Sequence, residues 1–380
     1  MTSSTRLSRF GDWAPVEPLC QTGMLTGQRP FYAGQQYEDR MALVRRAISE
    51  IRTGWREYPL FMRDLRELLE REAHRHAGDD ATAEVSARLL SSVKEWSDRG
   101  RAPAPEDYSA IELYTSEAGY RRIFGVINSA FRSDHLVEDR QALRAAAFLV
   151  ELLTIDLFNY RETHPEADRF EGIVYRGMCV TGEELADFRE AAAGPITERY
   201  LSIPLGMVSA SLDRDNATRF ALEQARRYPD RHPLLWRIRV VGLDAGLLDV
   251  YRTRFPDSVV TSLCAVPIHG LSRYQEEREV LLRGPAFQLL WLSREPDGQL
   301  ERGMHVIDVM MLNTNRDHGS AIATNEGADR RARDLFRTLV AIRRASICAG
   351  LADQSGHRAD ALAYRSSLNA NRERLDGYLR

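Results

Sequence analysis

Lysine is almost missing from this sequence of 380 residues: Lys94 is the only one, so arginine carries the positive charge. Genomic base composition is one account. Another is selection against the attachment point for ubiquitin in a protein that works inside a foreign cytosol. Cysteine is scarce as well. Cys20, Cys179, Cys264 and Cys348 lie far apart with no Cys-x-x-Cys, which excludes zinc-type spacing, leaves a disulfide framework unsupported and predicts free thiols. The histidines are scattered, and His74 and His76, two apart on an expected helix, would diverge, so no metal site is expected. No apolar run approaches the roughly 20 residues of a membrane span, and the first residues hold no apolar h-region. The expectation is a cytoplasmic protein, or one exported without a cleaved signal. Nor is one sign of charge in excess: 52 basic residues against 55 acidic ones leave no footprint for nucleic acid or a membrane surface. Gly-x-Gly-x-x-Gly and Gly-Lys-Ser/Thr are both absent, which disfavours a doubly wound nucleotide-binding fold.

What is present is a globular composition, 43% hydrophobic and 28% charged, in a chain long enough for one large domain with additions or for two. Residues 1–40, with Trp13, Pro15, Pro18, Pro30, Phe31 and Tyr32, read as an extended, partly docked arm. From Glu38 to Trp96 an amphipathic stripe predicts helix, including Ile48, Trp55, Phe61, Leu65 and Leu69. The Gly- and Pro-rich stretch Asp98–Asp107 breaks it and is the expected boundary. Further helices follow to Tyr160, and the run Leu143–Leu157, apolar nearly all round, is expected to be buried. Short apolar runs then predict strands at 173–180, 207–211, 234–241, 258–266, 279–282, 287–293 and 305–312. Helices followed by strands indicate an α+β domain. Residues 313–320 have loop composition, and the tail 328–380 is helical again, with Leu335, Leu339, Ile342 and Ile347 on one stripe.

Three short segments carry chemistry, although each alone has an ordinary account. Arg176, in the strand Gly172-Ile-Val-Tyr-Arg-Gly-Met-Cys-Val, alternates onto the face of Val174 and Met178, a poor position for a charge unless an anion or an internal carboxylate meets it. Ser209 and Ser211 face one side of a strand that runs into a helix with Asp213 as its N-cap, and small polar residues there are commonplace. Glu277-Arg-Glu279 reads as the opening of a strand, with both carboxylates on one face and Cβ atoms about 7 Å apart. Glu276 then points the other way into solvent. Two acids side by side repel, which is tolerated in an acid-base site or where a cation binds between them, and an exposed acidic run is the plain alternative.

Taken together, Tyr175-Arg176-Gly177, then Ser209-Ala-Ser211 some 33 residues on, then Glu277-Arg-Glu279 about 70 further, resemble the Arg-Ser-Glu signature of the mono-ADP-ribosyltransferases. Ile111-Glu-Leu-Tyr-Thr-Ser-Glu, Ile127-Asn-Ser-Ala-Phe-Arg and Phe287-Gln-Leu-Leu are similar to that family's helical lead-in and late strands, so the resemblance runs from 107 to 312. It implies a split β-sandwich with a helical lead-in over 105–313; the mostly helical accessory region over 1–104 and the helical tail over 325–380 are read from their apolar stripes and match nothing in that family. It also implies NAD+ as co-substrate, no metal, and a protein acceptor with an accessible arginine, as in the family's toxins and effectors.

The roles it implies fall on particular residues. Arg176 would hold the NAD+ phosphate and ribose, with Tyr175, Gly177 and Ser211 in the same cofactor site. Gly177 would offer backbone groups to the nicotinamide amide. Ser209 would orient the ribose and support Glu279, the catalytic acid, and Phe220 would stack on nicotinamide, a core aromatic being the alternative. Tyr274, in the loop His269–Glu276, and Glu277 would recognise the acceptor, since Glu at this position goes with arginine. Ala210 departs from the family's usual Thr. An NAD+ glycohydrolase with the same site and a non-catalytic module that binds NAD+ or a peptide are the alternatives.

Overall fold

The computed structural model describes residues 23–25, 28–32, 47, 60–61, 63–65, 67–68, 108–116, 140–197, 199–202, 207–272, 274–283, 286–297, 300–318 and 326–380. Within the N-terminal arm β1 (Gly23–Leu25) and β2 (Gln28–Tyr32) pair antiparallel. The described residues of the helical stretch expected over 38–96 are helical, and Phe61, Leu65 and Leu68 among them are buried. The rest of that stretch lies outside the described residues, as do Cys20, His74, His76, Lys94, the break at 98–107 and the run Ile127–Arg132.

Two helices then form a buried layer, α1 (Ser109–Thr115) and α2 (Arg140–Thr163). In α2 the consecutive residues Ala145 to Val150 are all buried, so the helix is enclosed on every side, as its all-round apolar sequence predicts. Of its buried acids Glu151 and Asp156, the second accepts from the backbone N–H groups of Ala110 and Ile111 at 3.0 and 3.2 Å. A buried carboxylate thus satisfies first-turn donors that a short helix leaves open. That bond fixes where α1 presents Tyr114 and Thr115.

The strands are β3 (Gly172–Val180), β4 (Tyr200–Ser202), β5 (Met207–Ser211), β6 (His232–Val241), β7 (Ser258–Thr261), β8 (Ala265–Pro267), β9 (Glu279–Arg283), β10 (Ala286–Asp297), β11 (Leu300–Leu312) and β12 (Asn315–His318). Among the described residues the main sheet runs β4-β10-β11-β6-β3-β5-β9-β8. Its continuity is thin at one place. β3 pairs with β6 along its whole length, from Gly172↔Val240 to Val180↔His232, but with β5 only at Tyr175↔Ser211.

The sheet therefore splits between β3 and β5, and the two halves close on each other. Val174, Trp236, Phe287 and Ile307 from the long half share one core with Val208, Ala210, Val280 and Leu282 from the short half. Period-two alternation sends the neighbouring residues outward. Met207 and Leu281 meet the helical layer of α1 and α2. Leu235 and Val306 lie under α4 (Arg214–Arg227), with Ala217 and Leu222 as its contact residues. The remaining helices are α3 (Gly182–Ala193), α5 (Ala245–Arg254), α6 (Glu326–Gln354) and α7 (Arg358–Leu379). Leu335, Phe336 and Leu339 of α6 cover Leu290, Met310 and Leu312 on the outer face of the long half. Arg199 anchors the tail through a bidentate pair with Asp360 at 2.8 and 3.0 Å. The class is the expected α+β, in the form of a split β-sandwich.

Several boundaries differ from the expectation. The strand expected over 258–266 is two strands, β7 and β8, and the loop composition of 313–320 conceals β12, which pairs with β7 in a separate sheet. The cause is Asn313, which is fully buried. Its Oδ1 accepts from the N–H groups of Cys264 and Ala265 at 2.8 and 3.0 Å, and its Nδ2 donates to the carbonyls of Phe170 and Ala265 at 3.0 and 3.2 Å. One side chain thus breaks the run before β8 and ties it to the lead-in of β3. β10 and β11 extend past their expected ends because ladder pairing continues through polar residues, as at Arg294↔His305. β4 is a short edge strand with little pattern to find. Cys179, Cys264 and Cys348 are buried thiols outside any disulfide among the described residues.

Asn313→Ala would leave two buried N–H groups without an acceptor. A loss of roughly 2–3 kcal/mol is expected from denaturant-unfolding midpoints, with the slope unchanged.

Candidate active site

Where β3 and β5 part, a cavity of about 370 Å³ opens between α1, α4 and the turn before β9. That volume lies within the roughly 300–1,000 Å³ of small-molecule sites. Tyr175, Arg176, Gly177, Ser209, Ser211, Phe220, Tyr274, Glu277 and Glu279 all line it, although Tyr175 and Glu279 stand more than a hundred residues apart. The half-buried Arg176 guanidinium crosses the split and its Nη1 donates to the Ser209 carbonyl oxygen at 2.6 Å. This bond joins the halves one step beyond their last ladder pair.

Gly177 is required by packing. A Cβ there would stand 1.8 Å from the Ala217 carbonyl oxygen and 2.9 Å from the Ala221 nitrogen, so the backbone of α4 lies directly on β3. That close approach brings Asn216, Arg219, Phe220 and Glu223 to the cavity wall. Phe220 is half-buried there and belongs to no core cluster, unlike an ordinary helix aromatic. Asp213 caps α4 as expected, its side chain accepting from the Asp215 N–H at 2.8 Å.

The two acids are brought together differently from the sequence expectation. Gln275–Glu277 is a 3-10 turn and Arg278 adopts the left-handed conformation, φ 47° and ψ 51°, so the strand begins only at Glu279. A turn, and not extended alternation, accounts for their sharing one cavity. Ser211 holds the turn: its hydroxyl donates to the Glu277 carbonyl at 2.5 Å and accepts from the Asp213 N–H at 2.9 Å. Its polar capacity thus serves the loop, although it lines the cavity. Glu276 is exposed, as expected, and Glu277 lies exposed at the rim while Glu279 is buried. The Ala210 side chain packs in the inner core, away from the face that carries Ser209.

Electrostatics separates the pair further. Burial pushes the Glu279 carboxyl above its ordinary range, hydrogen bonds from Ser209 and Ser272 pull it back, Glu277 adds repulsion and Arg176 opposes it. Glu277 is also raised, by partial desolvation and then Glu276, with Arg219 opposing. Tyr114, Thr115, Ser272 and Arg219 are site residues that the sequence did not reveal as such. Tyr114 is fully buried, its hydroxyl raised by burial and by Glu279 and lowered by hydrogen bonding with Ser209. It had been legible only as part of the segment Ile111–Thr115, because a helical periodicity cannot tell which of its apolar residues ends in a cavity.

Two outcomes follow. Gly177→Ala must push α4 away, so a loss of about 1–3 kcal/mol in urea unfolding and a weakened site are expected together. Glu279 holds its proton more tightly folded than unfolded. Its contribution to stability is therefore full below the unfolded value and is lost as pH rises through the raised folded value. Glu279→Gln keeps the shape and removes the charge, so its Tm is expected above the parent's near neutral pH. The gap should close toward about pH 4, the ordinary carboxyl range, which thermal melts at the two pH values will measure.

No protein-family model and no curated protein matches the chain. Among solved structures it is similar to Vis in complex with agmatine, an ADP-ribosyltransferase, at 17% identity and a TM-score of 0.36, over 60% of this chain and 85% of that one. Plx2a, an ADP-ribosyltransferase toxin from Paenibacillus larvae, is similar at 15% identity and a TM-score of 0.34, over 61% and 96%. The type III effector XopAI from Xanthomonas axonopodis pv. citri is similar at 12% identity and a TM-score of 0.35, over 82% and 99%. Each likeness is distant in sequence and partial in shape.

Proposed function

We propose that the chain is a mono-ADP-ribosyltransferase that moves ADP-ribose from NAD+ to arginine side chains of a protein acceptor and releases nicotinamide. One observation carries this: Arg176, Ser209 and Glu279 converge on a single cavity that has Glu277 at its mouth.

The donor set suits NAD+. Arg176 supplies a fixed cation for a phosphate or ribose oxygen, and Tyr175, Gly177 and Phe220 offer backbone and aromatic surface for a flat amide-bearing ring. Glu279, oriented by hydroxyl donors from Ser209 and Ser272, would accept from the 2′-hydroxyl of the nicotinamide ribose. Its negative charge stabilises the positive charge that develops on the sugar as the bond from C1′ to the nicotinamide nitrogen breaks. The electron pair leaves with nicotinamide. A guanidinium nitrogen then bonds to C1′, and the proton it gives up goes to Glu277, whose raised carboxyl is closer to neutral basicity than an ordinary glutamate. Exposure of Glu277 suits contact with a side chain of another protein, and Tyr274 and Arg219 flank it. Such an enzyme fits a toxin or effector that acts in the cytoplasm of another cell.

Labelled NAD+ incubated with an arginine-rich acceptor tests this directly. Label on the acceptor is expected, whereas free ADP-ribose alone would identify an NAD+ glycohydrolase and no turnover a binding module. Glu279→Gln is expected to lower both transfer and hydrolysis by about 10²–10³. Glu277→Gln should lower transfer to arginine by at least about 10² and spare part of the hydrolysis. Full transfer by Glu277→Gln would overturn the arginine assignment.

A further inference from the structure

A second cavity, of about 730 Å³, lies at the other end of β3, among the N-terminus of α3, the start of β6 and the far ends of β10 and β11. Its polar lining includes two guanidiniums, Arg189 and Arg294, and two imidazoles, His232 and His305, with Gly182 at the first position of α3. His305 is nine-tenths buried, lines this space and makes no ring hydrogen bond among the described residues, and its ring lies edge-on to that of His232 at 6.0 Å. The side chains of Arg189 and Arg294 have no ion pair or hydrogen-bond partner among the described residues. The one acid in the lining, Glu295, is already committed to Arg237, at 3.0 Å, and to Arg214. The capping box of α3 uses Thr181 and Glu184 on each other, at 2.7 and 3.2 Å, and leaves the Gly182 N–H outside it.

We propose that this cavity is a binding site for a phosphate monoester dianion, held by Arg189, Arg294, His305 and the Gly182 N–H. Two rim guanidiniums, a ring donor on the floor and a helix N-terminus approach from different elements, and a tetrahedral group with three acceptor oxygens can meet them together. A planar carboxylate has only two oxygens to offer. Leu185 and Pro296 give the ester's organic part an apolar wall. Burial first, then the neighbouring Arg189, Arg294 and His232, hold the His305 imidazole down at about 4. A bound dianion would relieve that repulsion. The inference is independent of the proposed transferase chemistry.

Titration of the full chain with phenyl phosphate tests it, read by calorimetry and by the NMR titration of His305. Binding is expected, with the His305 pKa raised in the complex. Arg189→Ser/Arg294→Ser changes only exposed side chains, so its Tm should match the parent's while its affinity falls by at least about tenfold. Arg176→Leu, in the other cavity, read at a temperature where its thermal melt shows it folded, should bind the probe as the parent does. The proposal is overturned if phenyl phosphate does not bind, if the double variant binds it undiminished, if Arg176→Leu abolishes binding, or if neutral benzyl alcohol binds equally well.

Discussion

The Arg176 guanidinium donates to the Ser209 carbonyl across the point where the main sheet comes apart, and the site is organised around that bond. A ladder that continued from β3 into β5 would leave no cavity. A complete separation would leave Ser209 and Glu279 without a counter-charge. One shared pair, Tyr175↔Ser211, and one charged hydrogen bond hold the strands close enough to share a site and far enough apart to admit a ligand. The cation that closes the gap also faces the cavity it creates.

Around that seam each wall has its own cause. Gly177 lets the backbone of α4 lie on β3, which no residue with a Cβ would allow at 1.8 Å from the Ala217 carbonyl. Asp156 caps α1 from within the buried helix α2 and so fixes Tyr114. Ser211 holds the turn that carries Glu277. These are short contacts between elements far apart in sequence, and each places one wall of the cavity. Burial has the opposite electrostatic effect, raising Glu279 and thereby opposing stability at the pH where its charge is useful.

Patterned elements were the most legible. The short apolar runs at 207–211 and 279–282 predict strands that exist, and the all-round apolar α2 is buried as its sequence requires. Where the pattern misled, a polar side chain had been taken inside. Asn313 lies in a stretch with the composition of a loop, yet its four hydrogen bonds at the core divide β7 from β8 and precede β12. Nothing local distinguishes such an Asn from a solvated one, since its partners lie some fifty and more than a hundred residues away.

By itself the sequence determined the residue types of the site, their order and, for Arg176, Ser209 and Ser211, the faces they occupy, because period-two alternation and helix capping are local consequences of backbone geometry. Only the tertiary structure decided that they meet. The split between β3 and β5, the seat of α4 on Gly177 and the entry of Tyr114 depend on contacts between distant segments. The acids show the difference most plainly. Local spacing predicted a shared strand face for Glu277 and Glu279, whereas a left-handed Arg278, held among the bonds of Ser211 and Asp213, turns them into one exposed and one buried carboxyl in a single cavity. Their proton affinities follow from how much water each retains, which is a property of the packed fold and not of the chain.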